Sequence, residues 1–370
     1  MRRCGNGGLL RARWQYACWM PLLVTGPPSA RRAMILGMRA VATARETRPF
    51  VGEEADLVRS MAEVVGLAHS GMEAVDLADV LSPDVTWDDH ALRAELATAL
   101  PDPTQRSDAA HCAMMVALMP VAPDEPGLHA ARWVAQVLGA DDLTVEEVEA
   151  TVSAHAQLAE ADLFRRFLSW KTGERVEVVA ARLARHEPAV ATPPEQVDRV
   201  RRLLDTAPEG SVGQELARYY ADTGFDVPGS PGTMPLAVLG SHDVHHVLAA
   251  YDASPEDEVY LAAFTAANAG TGGAEFLAFN MLQFHQGIKL GVFDPAQVAL
   301  DPHALALAAE RGAQTPVDLS SRTWDWQSLL HRSLDEVRAQ LCIPGGGSVL
   351  MGGPWDIDHH RQWSAAGAKD

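Results

Sequence analysis

Cysteine is scarce in this sequence. Its four cysteines, Cys4, Cys18, Cys112 and Cys342, are dispersed, and no two of them have CxxC spacing. This excludes a zinc ribbon and gives no sign of a disulfide framework. A reducing compartment is therefore the default, and we expect a cytoplasmic protein.

Positive charge and long apolar runs are also lacking. The formal net charge is −19, which argues against binding to nucleic acid and against electrostatic docking on anionic lipid. No apolar run approaches the length of about 18 residues that a membrane-spanning helix needs. An apolar, peripheral contact with a membrane is not excluded by these observations.

Strand alternation is absent, and helical periodicity takes its place over most of the chain. Between Glu53 and His186, apolar residues recur at three- and four-residue steps in one segment after another. One such segment ends at Gly139, a suitable helix C-cap, and Thr144 suits the start of the next. The pattern predicts an all-α fold.

The best linker is the Pro-rich stretch 191–195, which predicts two helical domains, 41–190 and 191–342. The Gly-rich, aperiodic segment 343–370 predicts a disordered tail that includes His359 and His360. Residues 1–40 predict an unstructured extension, or translation from upstream of a true start at Met34 or Met38. The apolar patch 19–24 contains Pro21 and is short for a signal peptide.

The segment 240–268 concentrates titratable side chains between apolar residues. His242 and His246 are four residues apart, so they share one face of a predicted helix, and Asp243 lies on its flank. Ser254 and Pro255 suit the N-cap and first position of a second helix. A short turn predicts an antiparallel pair in which Glu258 lies at the height of His246.

We therefore expect a divalent metal on the set His242, Asp243, His246 and Glu258. Two imidazoles and two carboxylates suit zinc, iron or manganese better than magnesium or calcium, and zinc is our first choice. His245 points away and predicts polar surface or an outer contact. The alternative for the histidine pair alone is an ordinary surface face.

The spacing HDxxH-x(11)-E over 242–258 resembles the motif of the Coq-four family of coenzyme Q biosynthesis. The stretch Pro208–Gln214, PEGSVGQ, resembles a second stretch of that family. By itself it is a good helix start, with a capping box between Ser211 and Gln214, and an anion could bind there. The resemblance covers 194–341. The first half weakly resembles TerB-like helical domains, and we assign it no chemistry.

The resemblance implies a metal-binding protein of ubiquinone or isoprenoid-quinone biosynthesis. The family is associated with removing the C1 carboxyl of a polyprenylated 4-hydroxybenzoate-type ring and introducing an oxygen there, so a metal-dependent oxidative decarboxylase is one reading. A scaffold or prenyl-lipid-binding protein with a structural metal is the alternative, and a hydrolase of an unrelated small molecule is an outlying one. Other quinone-biosynthesis proteins, a second copy of the chain and a membrane surface are partners that these readings allow.

Three further patterns give weaker expectations. The stripe Phe276, Leu277, Asn280, Met281, Phe284, Ile288 predicts core or, second, an apolar tunnel for a prenyl group. His285 and Lys289, four apart, predict a solvated face. The histidines of the first half are scattered along the sequence, so we expect each to be a surface or capped residue: His69, His90, His111, His129 and His155.

Overall fold

The structure, a computed structural model, describes residues 26–66, 73–140, 143–154, 157–185, 191–270, 272–290 and 294–349. Over these ranges the chain is helical, and its one β-type pairing is an isolated bridge between Ser211 and Ser333. The prediction of an all-α fold is confirmed. None of the helices in these ranges is long and apolar enough to cross a membrane.

The α-helices that the structure describes are numbered in chain order. They are α1 Pro28–Ala42, α2 Glu53–Gly66, α3 Ala78–Leu81, α4 Asp89–Ala99, α5 Pro103–Leu118, α6 Glu125–Leu138, α7 Leu143–Ala154, α8 Gln157–Thr172, α9 Val176–Ala184, α10 Pro194–Asp205, α11 Val212–Thr223, α12 Leu236–Ala249, α13 Pro255–Asn268, α14 Gly273–Asn280, α15 Pro302–Ala313 and α16 Leu334–Gln340. A π-helical turn, Met281–His285, follows α14, and a 3₁₀ turn, Trp326–Leu329, precedes α16.

Helix α1 is the centre of the first half, where it packs against α2, α4, α5 and α6. It is buried along nearly its whole length. The prediction of an unstructured extension was wrong for residues 28–40, while residues 1–25 lie outside the described part. The sequence misled because this helix is enclosed on all sides and carries arginines, so it shows neither a one-sided apolar stripe nor a purely apolar composition.

Two arginines of α1 are fully buried and donate to backbone carbonyls. Arg31 donates to the carbonyl oxygens of residues 26, 65 and 73. Arg39 donates to those of residues 80, 82 and 85 and pairs with Glu46 at 3.0 Å. These guanidinium groups satisfy carbonyls of loops and helix ends that burial would otherwise leave without hydrogen bonds.

Helix α6 ends as the sequence predicts. Gly139 at its C-terminus has φ 64°, the left-handed conformation that a glycine adopts without steric cost. Asp124 caps the N-terminus of the same helix by accepting from the backbone N–H of Gly127. Among the histidines of this half, His129 is exposed beside Glu125 and Glu149, whereas His111 is buried in α5.

One hydrophobic core runs through both halves of the chain. Helix α15 packs against α2, and α8 packs against both α12 and α14. Within the second half, α13 is central and lies against α12, α14 and α15. The boundary at 191–195 stays a prediction, but the core on its two sides is continuous.

The helix predicted to run through Ile288 ends earlier, in the π-helical turn. There His285 is fully buried, and its two ring nitrogens lie 2.5 Å from the carbonyl oxygen of Val298 and 2.7 Å from that of Met119. The predicted solvated face was therefore wrong for His285, although Lys289 is exposed. The burial of the imidazole is explained by its contacts with these two carbonyl oxygens, of which that of Met119 lies just after α5.

Two boundaries in the second half also differ from prediction. The Pro- and Gly-rich composition of 225–240 predicts a loop, but helix α12 already begins at Leu236. The first residues of the predicted tail are anchored: Ile343 is buried, and the backbone N–H of Val349 donates to the carbonyl oxygen of Ala250 at 3.0 Å. Residues 350–370, with His359 and His360, lie outside the described part.

Candidate metal centre

Helix α12 carries His242 and His246 one turn apart, and both side chains are buried. The helix ends in a tight turn in which Ala250 adopts φ 62° and donates its N–H to the carbonyl oxygen of His246. The same turn brings the carbonyl oxygen of Tyr251 to 3.0 Å from Nδ1 of His246. The end of the helix thereby fixes the orientation of one imidazole.

Helix α13 starts as predicted. Ser254 is its N-cap and accepts from the backbone N–H of Asp257 at 3.2 Å, and Pro255 is the first helical residue. This start fixes the register, so Glu258 lies opposite the two histidines. The predicted alignment across the hairpin is confirmed.

Three side chains of this hairpin could hold a metal ion: His242, His246 and Glu258. Nε2 of His242 is 3.3 Å from Oε2 of Glu258, and Nε2 of His246 is 3.5 Å from Oε1. The two Nε2 atoms are 3.2 Å apart. Tetrahedral ligands at about 2.0–2.1 Å from zinc are about 3.3–3.4 Å from one another. The separation of the two imidazoles and the two separations to Glu258, one to each carboxylate oxygen, are all close to that size.

The hydrogen bonding of His246 also fits a ligand. Its Nδ1–H donates to the carbonyl oxygen of Tyr251, so Nε2 is the nitrogen that a metal would bind after displacing its proton. Its ring stacks on Tyr219, with centroids 5.0 Å apart. His242 lacks such a support: among the described residues, no group pairs with its buried Nδ1.

Without a metal, the pKa values of the three side chains depend on one another's charges. Burial raises the pKa of Glu258, but the charges of His246 and His242 outweigh it and hold this pKa far below its usual value. Burial lowers the pKa of His246, but the carboxylate of Glu258 more than offsets this and the pKa reaches about 9. Burial lowers the pKa of His242 to about 4. At neutral pH the metal-free centre is therefore an ion pair of His246 and Glu258 beside a neutral His242.

Asp243, the fourth predicted ligand, lies outside the group of three. Its Oδ2 accepts a hydrogen bond of 2.8 Å from the hydroxyl of Tyr220, on α11. Burial raises the pKa of Asp243 to about 7, against the hydrogen bond from Tyr220. Direct ligation by Asp243 stays a prediction; the structure places it beside the three converging side chains.

His245 corrects another expectation. It is buried, not part of a polar surface, and its Nε2–H donates to the carbonyl oxygen of Leu319 at 2.9 Å. Its Nδ1 lies 3.4 Å from the hydroxyl of Thr265. Burial holds the pKa of His245 well below its usual value, so the ring is neutral. The sequence could not show this, because Leu319 lies far along the chain.

A cavity of about 210 Å³ opens beside the three side chains. His242, Asp243 and Glu258 contribute to its wall. Most of the rest is apolar, and the lining includes Phe167, Phe225, Leu239, Ala253, Pro255, Phe276, Phe279 and Phe284. The aromatic residues of α14 and the π-helical turn therefore line this cavity, while Leu277 and Met281 are buried core.

The first half contributes to this cavity, although the sequence predicted no chemistry for it. Helix α8 supplies Phe167 and Lys171 to the wall. Phe167 stacks on Phe279 and Phe276, with ring centroids 5.0 and 5.8 Å apart. The only available signal was a lysine at the end of an aromatic helix, which does not reveal what faces it.

The stretch PEGSVGQ forms a helix start whose N–H groups are occupied. Ser211 accepts from the backbone N–H of Gln214 at 3.2 Å, as the predicted capping box requires. The N–H groups of Val212 and Gly213 donate to the carbonyl oxygens of Arg332 and Leu330. These pairings leave the expected anion site with no free donors at those two positions.

No family model, no curated protein and no solved structure matches this chain. The site itself and the resemblance of its motif are therefore the grounds for a function.

Proposed function

We propose that this protein is a metal-dependent enzyme that acts on the ring of a polyprenylated 4-hydroxybenzoate-type precursor in isoprenoid-quinone biosynthesis. One observation carries the proposal. His242, His246 and Glu258 converge at the separations of metal ligands, and two of them line an apolar cavity. The reaction that we propose, from the resemblance of the motif, is C1 decarboxylation with introduction of oxygen: the carboxyl leaves as CO2, while dioxygen and a two-electron donor supply the new hydroxyl oxygen and release water.

Three protein ligands with a cavity beside them favour catalysis over a purely structural site. Structural zinc sites are closed by four protein ligands, whereas catalytic sites keep a position for water or substrate. Asp243 is engaged by Tyr220, so the group of three has room for a ligand from the cavity. We propose zinc first; two imidazoles and one carboxylate also suit ferrous iron, which would activate oxygen, or manganese.

A divalent ion held there would supply Lewis-acid chemistry or oxygen activation at the cavity wall. His246 is held in the required tautomer by the carbonyl of Tyr251. Asp243 faces the same space with a pKa of about 7, so it can give or take a proton near neutral pH. The surrounding aromatic side chains exclude water from the reacting ring.

The size and character of the cavity support an aromatic ring as its occupant. Its volume of about 210 Å³ is below the usual range for whole drug-sized ligands, about 300–1,000 Å³. We therefore propose that the ring and its nearest substituent enter, and that the prenyl chain extends outward. An apolar lipid without a reacting ring would use the same aromatic wall.

The second candidate is a scaffold or prenyl-lipid-binding protein in which the metal only holds the α12–α13 hairpin together. The burial of Glu258 between two histidines favours it, because such a site would also tie the two helices. The scaffold and enzyme hypotheses predict different effects on folding and product formation when a metal ligand is removed.

The variant Glu258→Ala separates the two readings, with Glu256→Ala, two residues earlier on α13, as the matched control. The measurements are metal content, thermal stability and product formation from a polyprenylated 4-hydroxybenzoate with dioxygen and a two-electron donor. If Glu258→Ala loses metal and product yet stays folded, the enzyme proposal is supported. If it loses metal and unfolds, while the wild type forms no product, the scaffold replaces it.

A further inference from the structure

Lys171, the penultimate residue of α8, is a buried cation that faces the cavity. The residue is 6% exposed, and it lines the cavity together with His242 and Glu258. Its Nζ has no hydrogen-bond partner among the described residues. A buried ammonium without a partner is costly, so a group that enters the cavity and pairs with it would gain affinity.

Two aromatic rings hold the ammonium in place. Nζ lies 4.6 Å from the ring centroid of Trp170 and 5.1 Å from that of Phe276, the geometry of cation–π contacts. Burial lowers the pKa of Lys171 to about 8, and the charges of Asp243 and Asp318 oppose that shift. At pH 7 the side chain is therefore mainly protonated.

The charges around the cavity favour a single anion. A divalent metal paired with the carboxylate of Glu258 has a net charge of +1, and Lys171 adds another positive charge. Asp243 contributes up to one negative charge. One charged oxygen group balances the remainder, whereas a phosphate dianion would also face the two carboxylates of the wall.

We propose that Lys171 binds the carboxylate of an aromatic acid that occupies this cavity. The inference rests on the proposed function and deepens it, since it names the charged group by which the ring is recognised. The ammonium of Lys171 donates to the carboxylate, and the rings of Phe276 and Phe279 contact the apolar body of the ligand. Lys171 is then a positioning residue contributed by the first half of the chain.

The chain offers a matched control. Lysine occurs at only three positions, Lys171, Lys289 and Lys369. Lys289 is exposed and is absent from the cavity wall. Lys171→Met keeps the unbranched shape and removes the charge, and Lys289→Met makes the same chemical change outside the cavity.

The test is calorimetric titration of the full chain at pH 7 with 4-hydroxybenzoate and with its neutral analogue 4-hydroxybenzamide. We expect the wild type to prefer the carboxylate by about ten-fold or more, as for a hydrogen bond to a charged group. Lys171→Met should abolish the preference, and Lys289→Met should retain it. Repeating each titration on chelator-treated protein removes the attraction of a carboxylate to the metal.

Equal affinities of the chelated wild type for the acid and the amide would overturn the inference, whether or not Lys171→Met folds. So would a Lys171→Met protein that keeps the full preference. Metal content, measured in the same samples before chelation, distinguishes a failure of this inference from a failure of the proposed function. A chain that binds metal without preferring the acid loses only the role of Lys171, whereas a chain without metal loses the enzyme proposal.

Discussion

Helix α1 and the α12–α13 hairpin both bury charged side chains, but they treat them differently. In α1, each side-chain nitrogen of Arg31 donates to a backbone carbonyl, whereas Arg39 donates to carbonyls through Nη1 and Nη2 and to Glu46 through Nε. At the hairpin, Nδ1 of His242 and Nζ of the neighbouring Lys171 have no partner within the described part of the chain. A cavity lies beside the charges of this second region.

The difference separates two uses of buried charge. A charge whose donors all meet acceptors stabilises one arrangement of loops and has nothing left to offer a ligand. A charge with an open donor beside a cavity is unsatisfied until something enters. On this basis we expect substitutions in α1 to change stability, and substitutions in the hairpin mainly to change binding.

The largest effect expected is that of Arg39→Met. The change leaves the carbonyls of residues 80, 82 and 85 and the carboxylate of Glu46 without their buried partner. We expect the free energy of unfolding to fall by about 3–5 kcal/mol. Denaturant unfolding measures it, and Arg175→Met, at a side chain that is 82% exposed, is the control. A loss no larger than that of the control would contradict the structural role of α1.

His245→Leu tests the comparison inside the hairpin itself. His245 behaves like the arginines of α1, because its N–H is used by a distant carbonyl, that of Leu319. Leaving that carbonyl unpaired should cost about 1–3 kcal/mol of stability. Metal affinity should not change, since His245 is not one of the three converging residues. A large loss of metal with no loss of stability would show that His245 serves metal binding and not the structure.

Metal affinity should depend on pH with a defined sign. His246 has a pKa of about 9 in the metal-free protein, so below that pH a metal must displace its proton. His242, with a pKa of about 4, is already neutral. Apparent affinity should therefore rise about ten-fold per pH unit between pH 6 and 8 and level off above 9. Competition with a chromophoric chelator at fixed ionic strength measures the slope, and a flat profile would exclude His246 as the group that titrates.

The smallest effect expected is that of Ser254→Ala. Its hydroxyl accepts from the first turn of α13, and losing such a cap costs about 1 kcal/mol. Because α13 carries Glu258, a slightly weaker metal affinity should accompany the loss. Ser328→Ala, at an exposed position, is the control and should stay within about 0.5 kcal/mol of wild type. An unchanged unfolding curve for Ser254→Ala would show that Pro255 alone fixes the helix start.

What the sequence could predict was local. The spacing of His242 and His246, the cap at Ser254 and the position of Glu258 depend on helix geometry and short-range capping, and the structure confirms their convergence. The burial of His245 could not be predicted, because it depends on Leu319. Nor could the contribution of Lys171, because it requires α8 to pack on α12 and α14.

Helix α1, by contrast, could not be predicted from local sequence patterns. Its apolar residues lie on every side of the helix, and its arginines resemble those of a basic, unstructured extension. The burial of Arg31 and Arg39 is explained by the carbonyls of residues 65, 73, 80, 82 and 85, which belong to the ends of neighbouring helices and to loops. Charge in a sequence predicts exposure, and long-range hydrogen bonds are what reverse that prediction.

The central claim is that one ion is bound by His242, His246 and Glu258, and titration of chelator-treated protein with zinc tests it most directly. We predict one equivalent bound by the wild type and by Glu256→Ala, and none at the same concentrations by His246→Ala or Glu258→Ala, with all four proteins folded. Equal binding by the wild type and His246→Ala, or no binding by the folded wild type, would contradict the account.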